Sequence, residues 1–338
     1  MSRVVIIGTT SWGTTLGIIL ASRGQDVTLW ARTPEEARRL AADRENKRLL
    51  PGFSFSERLR VTSALADACA DTDAVVFAVP SKSLRASVRA VRSHVPPDAL
   101  VISATKGLEV DTGKRMTQVL GEELSPAHHA RIVALSGPNL SQEIVRGLPA
   151  TTVVASPDAA VARQAQQVFI SPLFRVYTST DVVGVELGGA LKNIIALGVG
   201  MCEGLGYGDN ARAAIITRGL AEITRLGVAM GATPLTFAGL AGMGDLIATC
   251  FSPLSRNHHV GLELAKGRRL ADILEGMHHV AEGVDTTAAA RRLAREIGTE
   301  MPITETTYRV LFEGADPRQA AMELMTRAPR PEWPDLPR

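Results

Sequence analysis

Over about the first 180 residues, short apolar runs rich in β-branched residues alternate with longer stretches of helical character. The runs, which we predict to be strands, cover residues 4–7, 27–30, 74–79, 100–103, 131–136 and 151–155. They are apolar throughout instead of alternating with polar residues, which is typical of strands covered on both faces. Strands that alternate with helices indicate βαβ units, so this part of the chain is predicted to form a mainly parallel α/β sheet.

The helices between these strands are predicted at residues 12–23, 34–45, 84–93 and 159–170. The second helix has the clearest start, because Thr33 suits the N-cap and Pro34 the first helical position. Glu35 and Glu36 follow in its first turn, where negative charge is favourable.

Beyond about residue 182 the strand signals end, and helices are predicted at residues 182–203, 211–230, 284–297 and 303–312. We therefore expect an α/β domain over residues 1–182, an all-helical domain over 183–326 and a frayed, proline-rich tail over 327–338. The first helix of the second domain contains Gly184, Gly188, Gly189 and Gly198. So many small residues indicate close backbone packing or a ligand that lies against this helix.

The composition of the 338 residues is that of a globular protein, with 45% hydrophobic and 21% charged residues. Lys and Arg number 37 against 35 Asp and Glu, a balance that argues against nucleic-acid or membrane-surface binding but leaves room for local anion sites. The cysteines Cys69, Cys202 and Cys250 are widely spaced, so we expect neither disulfides nor a zinc site, and a cytoplasmic location.

The N-terminus superficially resembles a secretory signal, since Arg3 precedes an apolar stretch over residues 4–21. Gly8 and Gly13 interrupt that stretch where a strand would turn into a helix, and no later segment has the uninterrupted apolar length of a membrane span. Membrane insertion is therefore not expected. Metal binding is not expected either, because six of the seven histidines form the adjacent pairs 128–129, 258–259 and 278–279, whose side chains diverge.

Residues 8–13 read G-T-T-S-W-G between the first predicted strand and helix, which is the context of the G-x-G-x-x-G dinucleotide fingerprint. Gly8 and Gly13 supply the first and third glycines, whereas Thr10 replaces the second, which lets the backbone approach the pyrophosphate. We expect Thr10 to push the pyrophosphate outward, to shift the turn or to offer a hydroxyl contact. The layout predicts a Rossmann-type domain, although an ordinary strand–helix turn explains this segment about equally well.

Arg32 follows the second predicted strand, about twenty residues beyond the turn, where NAD-specific sites usually carry an acidic residue. An arginine there favours the 2′-phosphate of NADP(H), with NAD(H) also possible. The alternative is a solvated arginine at the start of a charged helix.

Lys192 stands on an otherwise apolar helix beside small residues, where an unneeded lysine is costly. Reduction of a ketone needs a proton donor, and partial desolvation lowers a lysine pKa toward that task. The alternative is a lysine that snorkels out of a core helix. Asp245 and Thr249 would share one helix face, although Asp245 is equally suited to an N-cap.

Ser255, Arg256 and Asn257 offer a guanidinium fork and neutral donors, the groups that a phosphate monoester needs. Together with these residues, further segments carry a family resemblance: residues 78–85, 103–109, 136–144, 185–223, 239–250, 255–261 and 280–284. From residue 4 to about 325 the chain resembles, in order and spacing, the NAD(P)-dependent sn-glycerol-3-phosphate dehydrogenases.

The resemblance implies interconversion of sn-glycerol 3-phosphate and dihydroxyacetone phosphate, in the reductive direction for phospholipid synthesis, by a homodimer joined through the helical domain. It implies that Lys192, Asp245, Thr249 and Lys106 are catalytic. The implied substrate contacts are Lys106, Gly137, Asn139, Lys192, Asn193, Asp245, Ser255, Arg256 and Asn257. The expected cofactor contacts, from the turn and the resemblance together, are Gly8, Thr10, Ser11, Trp12, Gly13, Arg32, Lys106, Ser141, Arg256, Val280 and Glu282.

The chain departs from the family at two positions, with Asn139 where Ser or Thr is usual and Leu140 where Phe is usual. Two other functions remain open at this point. A related β-hydroxyacid-type dehydrogenase would share both domains and the lysine, although Ser255, Arg256 and Asn257 argue against it. Thr10 also suggests a non-catalytic dinucleotide sensor as an alternative function. The retained charged residues argue against that alternative.

Overall fold

A computed structural model describes residues 2–277 and 280–332 of the chain. Within these residues the first part of the chain forms an eight-stranded sheet in the order β3-β2-β1-β4-β5-β6-β7-β8, in which β6 and β7 pair antiparallel and the other neighbours pair in parallel. The strands are β1 Arg3–Ile7, β2 Asp26–Trp30, β3 Leu59–Thr62, β4 Ala74–Phe77, β5 Leu100–Ser103, β6 Ile132–Ser136, β7 Ala150–Ala155 and β8 Phe174–Ser179.

The helices of this part lie between the strands and cover both faces of the sheet. They are α1 Ser11–Ser22, α2 Pro34–Asp43, α3 Leu65–Cys69, α4 Leu84–Val91, α5 Met116–Glu123, α6 Ser141–Val145 and α7 Ala159–Phe169. Along β1, Val4 and Ile6 enter one apolar core while Val5 and Ile7 enter another on the opposite face. This two-sided burial is why the strand sequences are apolar throughout.

The predicted fold class is confirmed, with corrections at the edges. Strands β3 and β8 were missed, and they are the two edge strands of the sheet, each with one strand neighbour. The predicted strand at 74–79 ends at Phe77, because the Ala78 carbonyl oxygen accepts from Thr10 Oγ1 and Val79 N donates to Thr105 Oγ1, so neither continues the strand pairing. The helix predicted over 34–45 ends at Asp43, where Arg44 adopts a left-handed conformation.

The second part of the chain is helical, as predicted. Its helices are α8 Val182–Gly204, α9 Asp209–Ala229, α10 Pro234–Phe237, α11 Asp245–Phe251, α12 Arg256–Ala265, α13 Leu270–Glu275, α14 Glu282–Ile297, α15 Pro302–Phe312 and α16 Pro317–Met325. A π-helical turn, Leu240–Gly244, precedes α11. The change from sheet to helices falls between Ser179 and Val182, and the exact boundary at residues 182/183 stays a prediction.

Helix α8 is the core helix of the second part, and its glycines allow the close packing that the sequence indicated. A Cβ on Gly188 would lie 2.5 Å from the Ala241 carbonyl oxygen, and one on Gly200 would lie 2.0 Å from that of His258. A Cβ on Gly189 would lie 2.2 Å from Ser136 Oγ at the end of β6. Glycine therefore brings α8 against both the helical neighbours and the sheet.

Among the residues that the structure describes, two helical segments have the length and composition of a membrane span. One is α8, but 89% of its most apolar window is buried inside the protein, as in the core helix of a globular fold. The other is Pro234–Phe251, which comprises α10, the π turn and α11 and is 39% buried.

The proline-rich tail was expected to fray, and its described part, residues 327–332, is held by exposed contacts. Arg327 and Arg330 both pair with Glu300, and Arg218 donates a hydrogen bond to the Glu332 carbonyl oxygen. The tail prolines Pro334 and Pro337 lie outside the described residues, as does the predicted histidine pair 278–279.

Glu186 on α8 joins the helical part to the sheet part. Its buried carboxylate accepts hydrogen bonds from Thr117 N at 2.8 Å and Thr117 Oγ1 at 2.5 Å, and it pairs with Arg115. Arg115 and Thr117 stand at the start of α5, so the carboxylate also satisfies a free N–H at a helix N-terminus. This contact fixes α8 against the sheet domain two turns before Lys192.

We expect Glu186→Ala to lower the free energy of unfolding by about 3 kcal/mol, because the largely buried Arg115 guanidinium loses its carboxylate partner and the Thr117 backbone N–H loses its acceptor. Urea unfolding followed by circular dichroism measures the change. Glu186→Gln, which retains two acceptor sites, should lose less. As a control, Glu296→Ala removes an exposed partner of Arg292 and should change stability by under about 0.5 kcal/mol. An equal effect of the two alanine variants would contradict this role of Glu186.

Candidate active site

A cavity of about 300 Å³ lies between the sheet part and the helical part. It opens at the carboxyl ends of β1, β4 and β5, where ligands bind in parallel α/β sheets. Most residues predicted for the site line it: Thr10, Ser11, Trp12, Lys106, Asn139, Ser141, Lys192, Asn193, Thr249, Ser255, Arg256, Asn257, Val280 and Glu282. Leu140 is a further wall residue.

One buried carboxylate holds two lysines at the floor of this cavity. Lys192 Nζ donates to Asp245 Oδ1 and, at 2.7 Å, to Thr249 Oγ1. Lys106 Nζ lies 2.7 Å from Asp245 Oδ2 and 2.7 Å from the Gly137 carbonyl oxygen. The lysines come from the loop after β5 and from α8, so Asp245 closes the site across both parts of the chain.

Asp245 and Thr249 share one helix face, as their spacing predicted. Thr249 Oγ1 donates to the Asp245 carbonyl oxygen at 2.7 Å, which turns the hydroxyl oxygen toward Lys192. The alternative role of Asp245 as an N-cap is wrong. Asp245 is the first residue of α11, and its carboxylate contacts the lysines instead of capping the helix.

Burial decides the protonation of Lys192. Its side chain is 8% exposed, and desolvation lowers its pKa to about 8 although Asp245 acts in the opposite direction. The positive charge of Lys106 lowers the pKa further. Lys192 can therefore exchange a proton near neutral pH, which an exposed lysine does not do readily.

The turn after β1 needs its two glycines. Gly8 has φ +117°, and an added Cβ would lie 2.7 Å from the Ala78 carbonyl oxygen. A Cβ on Gly13 would lie 2.2 Å from the Gly8 carbonyl oxygen. These positions match the tight turn and the close helix packing of a dinucleotide cradle.

The hydroxyl contact with a pyrophosphate, one of the roles that the sequence suggested for Thr10, is not supported, whereas outward displacement of the pyrophosphate stays a prediction. Thr10 is the N-cap of α1, since its Oγ1 accepts from Gly13 N at 3.0 Å, and it donates to the Ala78 carbonyl oxygen at 2.7 Å. Its hydroxyl is thus bonded within the protein instead of being free for a pyrophosphate. The turn has adapted to threonine by using it to begin the helix.

The start of α1 fits a dinucleotide. Ser11 and Trp12 present first-turn backbone N–H groups at a helix N-terminus, which favour phosphate. The Ser11 hydroxyl donates to the Leu49 carbonyl oxygen at 2.8 Å, so the loop after α2 closes over the turn. The indole N–H of Trp12 is buried and finds no acceptor within residues 2–277 and 280–332, while the residue itself contributes to the wall of the cavity.

Two charged residues lie beside this turn, Arg32 after the end of β2 and Glu36 in the first turn of α2. Arg32 is exposed, and no ion pair engages it in the described part of the chain. Glu36 accepts a hydrogen bond from Thr9 Oγ1 at 2.7 Å, a contact that the sequence analysis missed.

Arg256 occupies the far side of the cavity as the first residue of α12. Arg256 is exposed at the edge of the cavity, where partial desolvation by the surrounding protein atoms lowers its pKa, while Glu282 opposes the shift. Ser255 caps α12 by accepting from His258 N at 3.2 Å. An anion placed here would meet both the guanidinium and a helix N-terminus.

Asn257 has a structural contact that the predicted ligand role did not foresee. It donates from Nδ2 to Asn193 Oδ1 at 2.9 Å and accepts at Oδ1 from Gly283 N at 2.9 Å. It thereby fastens α12 to α8 and α14. One Asn257 amide hydrogen and the Asn193 amide group remain for a ligand.

Glu282 links the helical part back to the sheet. Its carboxylate accepts from Ser81 N at 3.1 Å and from Ser81 Oγ, and burial raises its pKa. Ser81 was not predicted, although its position in the loop directly after β4 is a signal that it lies at the ligand-binding edge. On the substrate-side loop, Asn139 Nδ2 donates to Thr152 Oγ1 at 3.0 Å.

The three cysteines Cys69, Cys202 and Cys250 are free and buried. Across residues 2–277 and 280–332, no group of three or more His, Cys, Asp or Glu side chains is arranged to hold a metal ion.

The parallel sheet, the glycine turn and the buried Lys–Asp–Lys cluster define a two-domain oxidoreductase of the dinucleotide-dependent class. Models of the NAD-dependent glycerol-3-phosphate dehydrogenase N-terminus and C-terminus match residues 3–162 and 181–322. The chain belongs to the NAD-dependent glycerol-3-phosphate dehydrogenase family.

Individual relatives and solved structures that resemble the chain carry names from the same family. A protein named glycerol-3-phosphate dehydrogenase (NAD(P)+) from Dehalococcoides mccartyi is 54% identical over 326 residues, which cover 96% of this chain and 91% of the relative. One of the same name from Geobacter metallireducens is 50% identical, with 98% of each chain covered. The crystal structure of glycerol-3-phosphate dehydrogenase from Coxiella burnetii superposes with a TM-score of 0.91 at 33% identity, covering 96% of this chain and 99% of that one.

We expect Thr10→Ala to lower the free energy of unfolding by about 1 kcal/mol, because α1 loses its N-cap. Urea unfolding at fixed pH measures the difference. Thr10→Ser keeps the hydroxyl and should remain within about 0.5 kcal/mol of the parent chain. If serine is as destabilising as alanine, the methyl group of Thr10 and not its hydroxyl holds the turn.

Proposed function

We propose that this chain interconverts sn-glycerol 3-phosphate and dihydroxyacetone phosphate by hydride transfer with NAD(P)(H). The observation that carries the proposal is the buried Lys192, held by Asp245 and Thr249 at the floor of a cavity that also presents Arg256. The names of the relatives support the substrate assignment. A carboxylate substrate, as in a β-hydroxyacid-type dehydrogenase, is less well supported because the cavity combines Arg256 with a helix N-terminus suited to phosphate.

The proposed roles of Lys192, Lys106 and Asp245 follow from their charges. The nicotinamide, when bound, supplies or accepts the hydride at C2 of the substrate. Lys192 gives a proton to the C2 oxygen in reduction and removes it in oxidation. Lys106 and Lys192 carry two positive charges against the one negative charge of Asp245, so negative charge that develops on the C2 oxygen is stabilised.

The remaining cavity residues bind and orient the ligands. Arg256, Ser255 and the free amide hydrogens of Asn193 and Asn257 hold the substrate phosphate and hydroxyls, with the loop of Gly137 and Asn139 on the substrate side. Gly8, Thr10 and Gly13 shape the turn that receives the pyrophosphate. The other proposed cofactor contacts that line the cavity are Ser11, Trp12, Lys106, Ser141, Arg256, Val280 and Glu282. Arg32, which is exposed outside this lining, is the remaining proposed contact.

For the cofactor we favour NADP(H) and expect NAD(H) to be accepted, because Arg32 is exposed and the relatives are named for both. We also propose the domain limits 1–182 and 183–326, a cytoplasmic location and net reduction for phospholipid synthesis. A homodimer through the helical domain is supported by apolar side chains exposed on it, among them Leu235 at 77% and Phe251 at 57%.

Purified protein should oxidise NADPH or NADH when dihydroxyacetone phosphate is added, and the loss of absorbance of the reduced nicotinamide follows the reaction. Lys192→Met keeps the apolar packing but has no transferable proton, so kcat should fall by about a hundredfold or more. Lys266→Met, at an exposed lysine that pairs with Glu263, is the matched control and should remain active. Parent protein that oxidises neither cofactor would refute the proposed function.

The two directions should respond oppositely to pH, because the pKa of Lys192 is lowered to about 8. Reduction needs protonated Lys192, so its kcat/KM should fall as the pH rises through 8. Oxidation needs neutral Lys192, so its kcat/KM should rise over the same interval. Asp245→Asn removes the negative charge that supports the ammonium form and should move both profiles to lower pH. Profiles that do not respond to this substitution would exclude Lys192 as the titrating group.

A further inference from the structure

The corner between the carboxyl ends of β1 and β2 holds charges of both signs. The two strands are parallel neighbours in which Ile7 pairs with Trp30, so the segments that follow them lie side by side. Thr9 follows β1, and its hydroxyl donates to Glu36 Oε1 at 2.7 Å. The carboxylate of Glu36, in the first turn of α2, is thus folded back onto the dinucleotide turn.

In dinucleotide folds this corner receives the adenosine ribose. An acidic side chain there accepts a hydrogen bond from the ribose 2′-hydroxyl of NAD, whereas an arginine there binds the 2′-phosphate of NADP. This chain has Arg32 two residues after the end of β2 and Glu36 four residues later, so it carries both kinds of group.

The second carboxylate oxygen of Glu36, Oε2, can accept a hydrogen bond from a ligand. In the described part of the chain, Glu36 makes no ion pair, and its recorded hydrogen bond uses Oε1 and leaves Oε2. A carboxylate that is held on one side and open on the other is oriented to accept a hydroxyl donor. The same negative charge repels a 2′-phosphate, which Arg32 attracts.

We propose that Glu36, positioned by Thr9, accepts the adenosine ribose hydroxyl and sets the balance between NAD(H) and NADP(H) in opposition to Arg32. The inference rests on the proposed use of a nicotinamide cofactor. Glu36 binds the unphosphorylated ribose, Arg32 binds the phosphorylated one, and Thr9 is a positioning residue. The opposition of the two side chains keeps either cofactor from being excluded.

Fluorescence titration of the free enzyme with NADH and with NADPH gives the two dissociation constants without catalysis. Glu36→Gln should weaken NADH binding and strengthen NADPH binding, so that the preference for NADPH rises about tenfold. Glu35→Gln is the matched control, because it removes the same charge from the same helical turn at an exposed residue without the Thr9 contact. Its preference should stay within about twofold of the parent, since exposed charges are screened.

Two further variants separate positioning from charge. Thr9→Val removes the hydroxyl at nearly constant volume and should weaken NADH binding about threefold while NADPH binding changes less. Arg32→Ala should weaken NADPH binding about tenfold and leave NADH binding nearly unchanged. Denaturation midpoints of all variants, measured alongside, show whether a loss of binding follows from a loss of folding.

If Glu36→Gln changes the affinities for NADH and NADPH by the same factor, the Thr9–Glu36 bond has a purely structural role and the inference is overturned. An equal shift of preference in Glu35→Gln would overturn it as well, since the effect would be one of general charge. A shift confined to Glu36→Gln supports the inference even if the parent enzyme fails to reduce dihydroxyacetone phosphate. The latter failure refutes only the proposed reaction.

Discussion

The arrangement of the active site depends on the single carboxylate of Asp245, which compensates two lysines that come from different parts of the chain. Lys106 reaches it from the loop after β5, and Lys192 reaches it from α8. Without the carboxylate, two ammonium groups would face each other in a site with little water, which costs several kcal/mol. The charge balance therefore holds the sheet, α8 and α11 in register at the point where the chemistry is proposed. It also leaves one net positive charge, which suits a reaction that creates negative charge on an oxygen.

Two opposing effects meet at Lys192. Burial favours the neutral amine, and the Asp245 carboxylate favours the ammonium ion; burial prevails, and the pKa falls to about 8. Thr249 accepts one of the amine hydrogens, so the direction of the lysine head is fixed as well as its charge. The glycines of α8 serve the same end, because they allow the helix to approach Ser136 closely enough for Lys192 to reach the floor of the cavity.

The sequence predicted the elements whose residue pattern repeats along the chain and the residues whose burial is energetically costly. Apolar runs marked the central strands because both of their faces are buried, and Lys192 stood out because a charge on a core helix needs a partner. The edge strand β8 was missed, since its residues alternate between buried and exposed and form a weaker apolar run. Thr10 as a cap and Glu186 as a link between the two parts were not predictable, because their partners depend on which distant segments the fold brings together. The same holds for Thr9 and Glu36, which are 27 positions apart.

The contact of α8 with the sheet has a consequence for how the chain acquires its structure. Ala134, Val153 and Ala155 on β6 and β7 form one apolar cluster with Val185 of α8 and Ala241 of the π turn. This patch of the sheet is covered by α8 and the π turn, and the cluster includes no residue from the helices α1–α7 of the α/β part. A nascent chain that ended after β8 would therefore expose an apolar surface to water, and the α/β part reaches its full stability when α8 has emerged and docked. The two domains are distinct in architecture, but this shared apolar cluster couples the stability of one to the docking of the other.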